Sequence, residues 1–222
     1  MKKIFCIGFN KTGTTSLHFF FKSLGFSSDH SSIWPYLTHS NHNIDYFLEF
    51  DCFTDGEMSN VHFLNSKFPE SLFILNSRNI RDWLRSRVKH VLRDGVPSKE
   101  KLFSNSYGKM ARDFFTNPKA TIEKWIMDRI IYHAQVRDYF SNKHNFFEID
   151  ITIQDNWQDF LYVKICDMKF SPVKLASGIS FHENARVHNY IKDQNELLYY
   201  YDLIDACVFK ILNDYKLNLN SV

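Results

Sequence analysis

The sequence predicts an α/β domain whose mainly parallel central sheet is flanked by helices. Three short apolar runs, Ile4 to Ile7, Leu72 to Leu75 and Phe146 to Ile149, are rich in β-branched and aromatic residues, as buried strands are. Segments of helical periodicity lie between these runs, and strands that alternate with helices are typical of parallel sheets. The chain of 222 residues is long enough for one sizeable core, so we predict a single domain over residues 1–222.

The first strand is followed by a predicted helix that Thr15 or Ser16 can cap and Gly25 can end. Its apolar face would consist of Leu17, Phe20, Phe21 and Leu24. Three longer helices are predicted from apolar residues that recur every three or four positions. These are Ile80, Leu84, Val88 and Leu92; Ile122, Ile126, Ile130 and Ala134; and Leu197, Tyr201, Ile204, Val208, Ile211 and Tyr215.

Weaker signals complete the prediction. Cys52 to Thr54 indicates a short strand, and Met58 to Phe68 carries a helical pattern that ends before Pro69. Residues 27–50 indicate a loop with short helical pieces, and residues 94–118 look irregular.

The composition excludes several classes of protein. An apolar fraction of 44%, with 17% aromatic residues, can bury enough surface to offset the conformational entropy of folding, which excludes a disordered chain. The formal net charge of +2 argues against nucleic acid or an anionic membrane as the main partner. The four cysteines include no C-x-x-C pair, so neither a zinc site nor a disulfide framework is predicted.

The apolar runs also bear on location. The run from Ile4 to Phe9 follows two lysines but is too short for the apolar region of a signal peptide. No stretch approaches the roughly twenty apolar residues that a membrane-spanning helix needs. We therefore expect a cytoplasmic protein without a membrane span.

A candidate phosphate loop, Gly8-Phe9-Asn10-Lys11-Thr12-Gly13-Thr14-Thr15, lies between the first predicted strand and helix. Backbone N–H groups and the helix dipole favour an anion at this place. The two glycines have the spacing of a nucleoside-triphosphate P-loop, but Thr14 occupies the position of its lysine, and Lys11 lies upstream. A simple turn that caps a helix is the alternative.

The displaced Lys11 followed by Thr-Gly-Thr-Thr resembles the 5′-phosphosulfate loop of sulfotransferases that use 3′-phosphoadenosine-5′-phosphosulfate (PAPS). The chain is similar to the short single-domain members of that family, over roughly residues 3–159. The resemblance implies a P-loop-type domain that takes PAPS as donor and releases adenosine 3′,5′-bisphosphate (PAP), without a metal. It also implies that the donor is bound by Lys11, Thr12, Gly13, Thr14, Thr15 and Ser16.

A second motif resembles the 3′-phosphate site of the same family. Arg78 follows the second apolar strand, and Ser86 lies eight residues later. An arginine offers a planar fork to phosphate, and ligands of open α/β sheets bind beyond the carboxyl ends of the strands. Arg81, Arg85 and Arg87, by contrast, are expected to form a solvated face that pairs with Asp82.

Sulfuryl transfer calls for stabilisation of the leaving phosphate and for a general base. We assign the first role to Lys11, together with backbone N–H groups of the loop. The second goes to Asp55, which follows the predicted strand Cys52 to Thr54 and matches an acidic position in the family. A helix cap or turn is the alternative role of Asp55. Other candidate bases are His39, His42, Glu57 and His62.

The predicted function is therefore transfer of a sulfuryl group to a hydroxyl or amine of a small-molecule or carbohydrate acceptor. A P-loop kinase or NTPase is one alternative, although the strand before Arg78 lacks the carboxylate that holds magnesium in such enzymes. A noncatalytic nucleotide-binding protein is the other. The sequence leaves the acceptor and the oligomeric state open.

Overall fold

A computed structural model of the chain describes residues 1–39, 44–94, 106–171 and 194–217. These residues form two compact units. The first contains the chain up to Arg78 and from His133 onward to residue 171. The second contains Asn79–Tyr132 and the C-terminal helix.

Five parallel strands form the sheet of the first unit, in the order β2-β3-β1-β4-β5. The strands are β1 (Ile4–Cys6), β2 (Ser28–His30), β3 (Cys52–Thr54), β4 (Leu72–Asn76) and β5 (Phe146–Ile149). The three central strands are buried along their whole length, as expected for a sheet that is covered on both faces. The predicted α/β class is confirmed, and every strand pair is parallel.

Helices follow most of the strands. Within the described ranges they are α1 (Thr14–Ser23), α2 (Trp34–Leu37), a 3-10 helix (Ile44–Leu48), α3 (Val61–Lys67), α4 (Ile80–Asp94), α5 (Ser106–Thr116), α6 (Pro118–Phe140), α7 (Trp157–Asp167) and α8 (Gln194–Asp214). Two elements differ from the prediction. Strand β2 lies in the segment expected to be a loop, and α5 lies in the segment expected to be irregular.

Helix α1 packs one face of the sheet through its predicted apolar residues. Leu17, Phe20 and Leu24 are fully buried in a cluster with β1 and α7, where Phe20 lies with its ring centroid 5.1 Å from that of Trp157. The predicted cap is wrong, because the helix begins after Gly13 and no side chain caps it. The backbone N–H groups of its first turn therefore face the loop that precedes it.

The other face of the sheet is covered by aromatic rings. Phe5 of β1 stacks on its neighbours Phe53 of β3 and Phe73 of β4, with ring centroids 5.3 Å and 5.4 Å away. Trp34 and Phe47 complete this layer and are fully buried. Because the central strands are packed on both faces, their carboxyl ends, where the candidate site lies, are held in place.

The second unit is helical and contains α4, α5, the first part of α6 and α8. Arg81 and Arg85 of α4 pair with Asp205 of α8 at 2.8 Å and 3.3 Å, while Arg85 reaches Asp82 only at 3.9 Å. Arg87 is buried against the rings of Trp83 and Trp125, so the expectation of a solvated side chain is wrong for this residue. Guanidinium groups stack well on indole rings, which explains the burial.

Candidate active site

The predicted phosphate loop follows β1 at the carboxyl end of the sheet and leads directly into α1. Lys11 and Gly13 both have left-handed backbone conformations, with φ of 65° and 87°. The first turn of α1 contains no acidic residue. A lysine and the positive end of a helix thus share one tight loop, an arrangement that suits an anion.

Close packing on two sides fixes the path of this loop. A Cβ atom on Gly8 would lie 1.9 Å from the backbone oxygen of Asn76, and one on Gly13 would lie 2.4 Å from Cδ1 of Ile151. Position 8 therefore admits no side chain without a backbone shift. Ile151, which follows β5 and which sequence reasoning missed, forms the floor beneath Gly13.

Asn76 at the end of β4 joins the first residue of the loop to its middle. Its Oδ1 accepts a hydrogen bond from the N–H of Gly8 at 3.0 Å, and its Nδ2 donates to Oγ1 of Thr12 at 2.6 Å. The Thr12 hydroxyl in turn donates to the backbone oxygen of Phe9 at 2.5 Å. Because the single proton of the Thr12 hydroxyl goes to the oxygen of Phe9, the predicted contact with an anion falls to the backbone N–H of Thr12.

The remaining loop residues differ in exposure. Thr14 is buried, whereas Thr15 and Ser16 in the first turn of α1 are half-buried. Of these three, Thr15 and Ser16 have the more accessible side chains. Their predicted contacts with a donor phosphate stay predictions.

Arg78 lies two residues beyond β4 and reaches the loop. Its Nη1 donates to the backbone oxygen of Lys11 at 3.2 Å. Arg78 and the phosphate loop, which are far apart in the chain, thus meet at the carboxyl end of neighbouring strands, as the rule for open α/β sheets predicts. Ser86 is half-buried on α4 in the second unit, and its role at a 3′-phosphate stays a prediction.

Asp55 follows β3 directly, with a left-handed backbone (φ 71°) and a side chain that is only 9% exposed. The N–H of the next residue, Gly56, donates to the backbone oxygen of Cys6 at 3.1 Å, which holds this turn beside the end of β1. The indole N–H of Trp34 donates to the backbone oxygen of Thr54 at 2.7 Å and fixes the same turn.

Of the two alternative roles of Asp55, the helix cap is wrong, and the role in a turn stays open. Asn60 caps α3, and its Oδ1 accepts a hydrogen bond from the N–H of Phe63 at 3.0 Å. Asp55 instead occupies a backbone conformation that is costly for most residues and that aspartate tolerates better than most. Such conformations concentrate at functional sites.

The other candidate bases lie in different settings. His39 is exposed and its Nε2 donates to the backbone oxygen of Met58 at 2.8 Å. His62 is exposed and packs against the ring of Tyr139, with centroids 4.0 Å apart. Glu57 is half-buried two residues beyond Asp55, and His42 lies outside the described residues.

His30, which sequence reasoning missed, lies at the end of β2 between two threonines. Its Nε2 is 3.1 Å from Oγ1 of Thr15 in α1, and its Nδ1 is 2.9 Å from Oγ1 of Thr54 in β3. Burial lowers the pKa of His30, Asp29 opposes this effect, and the positive charge of Lys11 adds to it. No periodicity in the polar segment around His30 would have revealed this position.

A comparison with protein-family models decides which family these features belong to. The model described as a sulfotransferase domain matches residues 3–174. The chain belongs to the sulfotransferase domain family. The match confirms the predicted resemblance and assigns sulfuryl transfer as the general chemistry, which makes the protein a transferase. No curated protein matches the chain.

The match to the sulfotransferase domain contains the phosphate loop, Asp55, Arg78 and Ser86. In the part of the chain that the structure describes, no group of three or more His, Cys, Asp or Glu residues could hold a metal ion. Among the same residues, no helix is both long and apolar enough to cross a bilayer.

Proposed function

We propose that this sulfotransferase-family protein transfers a sulfuryl group from PAPS to a hydroxyl or amine of a small-molecule or carbohydrate acceptor. The observation that carries the proposal is the hydrogen bond from Arg78 to the backbone oxygen of Lys11. It brings the residue expected at the 3′-phosphate to the loop expected at the 5′-phosphosulfate. A donor with phosphate groups on the 3′ and 5′ positions of its ribose would bind Arg78 and the phosphate loop at the same time.

The loop supplies the groups for the 5′ end. Lys11 and the backbone N–H groups from Thr12 to Ser16 would bind the phosphosulfate and stabilise the charge that develops on the bridging oxygen as the S–O bond breaks. The Thr12 hydroxyl takes no part, because Asn76 and Phe9 occupy it. Donors that are fixed before the reaction need no reorganisation in the transition state.

At the 3′ end, Arg78 would form charge-assisted hydrogen bonds to the phosphate, with Ser86 as a second donor. An arginine suits this position because its fork can hold the Lys11 oxygen with one nitrogen and present others to a ligand. The 3′-phosphate would thereby also steady the loop at the 5′ end. This coupling favours a donor that carries both groups.

Asp55 would act as the general base. It would take the proton of the acceptor as the acceptor oxygen or nitrogen bonds to sulfur, while the 5′-phosphate leaves as part of PAP. Hydrogen bonds from Gly56 to Cys6 and from Trp34 to Thr54 hold the backbone on both sides of Asp55, and the first holds it beside the end of β1, where the phosphate loop starts.

Two further parts of the proposal concern the chain as a whole. We propose one domain over residues 1–222, and what supports it is a family match over residues 3–174 that includes residues of both compact units. All four cysteines are free thiols, which supports the reducing cytoplasm as the compartment.

The test is a transfer assay with sulfur-labelled PAPS against a panel of alcohols, phenols, amines and sugars. We expect label in at least one acceptor class and none when PAPS is replaced by adenosine 5′-phosphosulfate at equal concentration. In parallel, PAP should raise the melting temperature by about 5 to 11 °C at a hundredfold excess over its Kd. Equal shifts with ATP and PAP would contradict the proposal and favour a kinase or NTPase.

A further inference from the structure

His30 sits in a chain of hydrogen bonds that ends at the phosphate loop. Its Nδ1 faces Oγ1 of Thr54, and that hydroxyl also lies 3.2 Å from the backbone oxygen of Asp29, to which it donates. On the other side, Nε2 faces Oγ1 of Thr15 at 3.1 Å. The imidazole therefore connects the strand that precedes Asp55 to the first turn of α1.

The contacts of Thr54 assign the tautomer of His30. A hydroxyl has one proton, and the oxygen of Asp29 can only accept it. If the Thr54 hydroxyl instead donated to Nδ1, its oxygen and the backbone oxygen of Asp29 would face each other without a proton between them. Such a contact between two acceptors is unfavourable at a buried site. Nδ1 therefore carries the proton of the neutral ring, and Nε2 is left to accept the proton of the Thr15 hydroxyl.

This direction matters for an anion at the loop. With neutral His30, the only proton of the Thr15 hydroxyl points at the ring and is not available to a phosphate. If Nε2 gains a proton from solvent, both ring nitrogens become donors, and Thr15 must reverse its role and accept from Nε2. Its hydroxyl proton is then released to donate elsewhere.

We propose that His30 is a positioning residue of the phosphate loop, which, once protonated, turns the Thr15 hydroxyl toward a bound anion. The proposal rests on the proposed function, because it takes the phosphosulfate or phosphate of the nucleotide as that anion. Binding of the nucleotide and uptake of one proton by His30 then favour each other. His30 acts through Thr15 and does not itself touch the reacting atoms.

The charges around His30 agree with a ring that is neutral before binding. His18 of α1 stacks on it with centroids 5.5 Å apart and itself binds Ser28, while Lys11 lies in the loop and Lys22 near His18. Asp29 is the nearby acid. Its carboxylate accepts hydrogen bonds from Tyr46 and Ser31 at 2.9 Å each.

Burial lowers the pKa of both histidines, and an anion at the loop would raise that of His30 by opposing the charge of Lys11. A group whose pKa rises on binding takes up a proton between its free and bound pKa values. The added affinity is therefore present at low pH and is lost as pH rises through the bound value. Because the pKa of free His30 lies below the ordinary histidine value of about 6.5, the effect should be seen at about pH 6 or below and should vanish near pH 8.

The tautomer can be measured without any nucleotide. Long-range ¹H–¹⁵N spectra of the labelled wild-type protein at pH 8 should show a protonated Nδ1 and a bare Nε2 for His30, assigned by its loss in His30→Gln. A protonated Nε2 with a bare Nδ1 would overturn the inference, whatever the fate of the proposed function.

The coupling is measured by calorimetric titration of PAP in buffers with different ionisation enthalpies. Phosphate monoesters themselves titrate near pH 6, so the informative quantity is the difference between wild type and His30→Gln. We expect wild type to take up as much as about one more proton per PAP near pH 6, and no more near pH 8. In a Thr15→Val background, His30→Gln should no longer change the number of protons taken up. In a Thr15→Ser background, it should change that number as it does in wild type.

His144→Gln, which changes an exposed histidine, is the matched control and should behave as wild type. Equal proton uptake by wild type and His30→Gln at both pH values would overturn the inference while leaving PAP binding, and so the proposed function, intact. If His30→Gln fails to fold, the spectra of wild type with PAP decide instead. The titration midpoint of His30 should then rise on binding, and an unchanged midpoint would overturn the inference.

Discussion

The side chain of Asn76 donates to the hydroxyl of Thr12 at 2.6 Å and, through its other end, accepts the N–H of Gly8 at 3.0 Å. One amide thus joins the first and the middle residues of the phosphate loop to the end of the neighbouring strand. Both ends of the amide are needed, since the two contacts require one donor and one acceptor. The loop is therefore shaped before any ligand arrives.

Replacement of Asn76 should destabilise the protein. Asn76→Ala leaves the buried N–H of Gly8 and the hydroxyl of Thr12 without this partner, at a cost of about 1–3 kcal/mol for each group in the free energy of unfolding. Urea denaturation measures this loss. An unchanged midpoint would mean that the loop is held by other contacts.

Asn76→Asp tests the contacts of position 76 with Gly8 and Thr12 through their pH dependence. A carboxylate can still accept from Gly8, but it would oppose the lone pairs of the Thr12 oxygen, so its pKa in the folded protein should be raised. The destabilisation should then be present at neutral pH and decrease as pH falls toward the ordinary aspartate pKa of about 3.9. The stability of wild type over the same pH range is the reference.

Loss of the charge on Lys11 should affect both binding and turnover. Lys11→Met keeps the length of the side chain and the left-handed backbone while removing the ammonium group. We expect weaker PAP binding and a larger fall in turnover, because the charge to be stabilised grows in the transition state. Lys67→Met, at an exposed lysine at the end of α3, is the control. Equal losses in Kd and in kcat/KM would show that Lys11 only binds.

Asp55→Asn should separate chemistry from binding. Asparagine tolerates the left-handed backbone of position 55 and keeps the shape of the side chain, but it cannot take a proton. Turnover should fall at least about a hundredfold, while PAP binds as in wild type. Asp155→Asn, at an exposed turn, is the matched control. Wild-type turnover in Asp55→Asn would transfer the role to Glu57, and Glu57→Gln would be the next variant.

Arg78→Ala should reduce the preference of the protein for PAP over AMP, which lacks the 3′-phosphate. A charge-assisted contact is worth about 1.5–3 kcal/mol, or roughly ten- to a hundredfold in affinity. The ratio of the two Kd values isolates the 3′-phosphate from any effect on the Lys11 carbonyl, which both ligands share. A ratio that stays the same would remove Arg78 from the 3′ site.

The apolar strands could be predicted from the sequence because burial on both faces leaves continuous hydrophobic runs. That was enough for β1 and β4 and, through them, for the positions of the loop and of Arg78. Strand β5 is only partly buried but is still an apolar run, and Asp55 was found through the weaker signal of β3. Strand β2 was missed because Ser28, Asp29 and His30 are polar and half-buried at the sheet edge, where pairing with β3 defines the strand. Its side chains carry no signal of alternation or burial.

The same limit applies to the site. Asn76 and His30 act through hydrogen bonds to residues far away in the chain, at separations that no local pattern encodes. Asn76 offered a faint signal, a polar residue at the end of a fully buried strand. Along α6, likewise, Arg129 and His133 occupy buried positions while Ala134 is exposed, because ring stacking allows a guanidinium to replace an aliphatic side chain.

The contact between Gly8 and Asn76 determines which substitutions a descendant of this protein could accumulate. With a backbone oxygen 1.9 Å from the place of a Cβ, position 8 accepts a side chain only if the backbone shifts, whether or not the protein turns over substrate. A pseudoenzyme derived from this chain would therefore retain Gly8 and Asn76 and be free to lose Lys11 and Asp55. In a library selected only for folding, variation at positions 11 and 55 beside a fixed glycine at position 8 would distinguish the architecture of the loop from its chemistry.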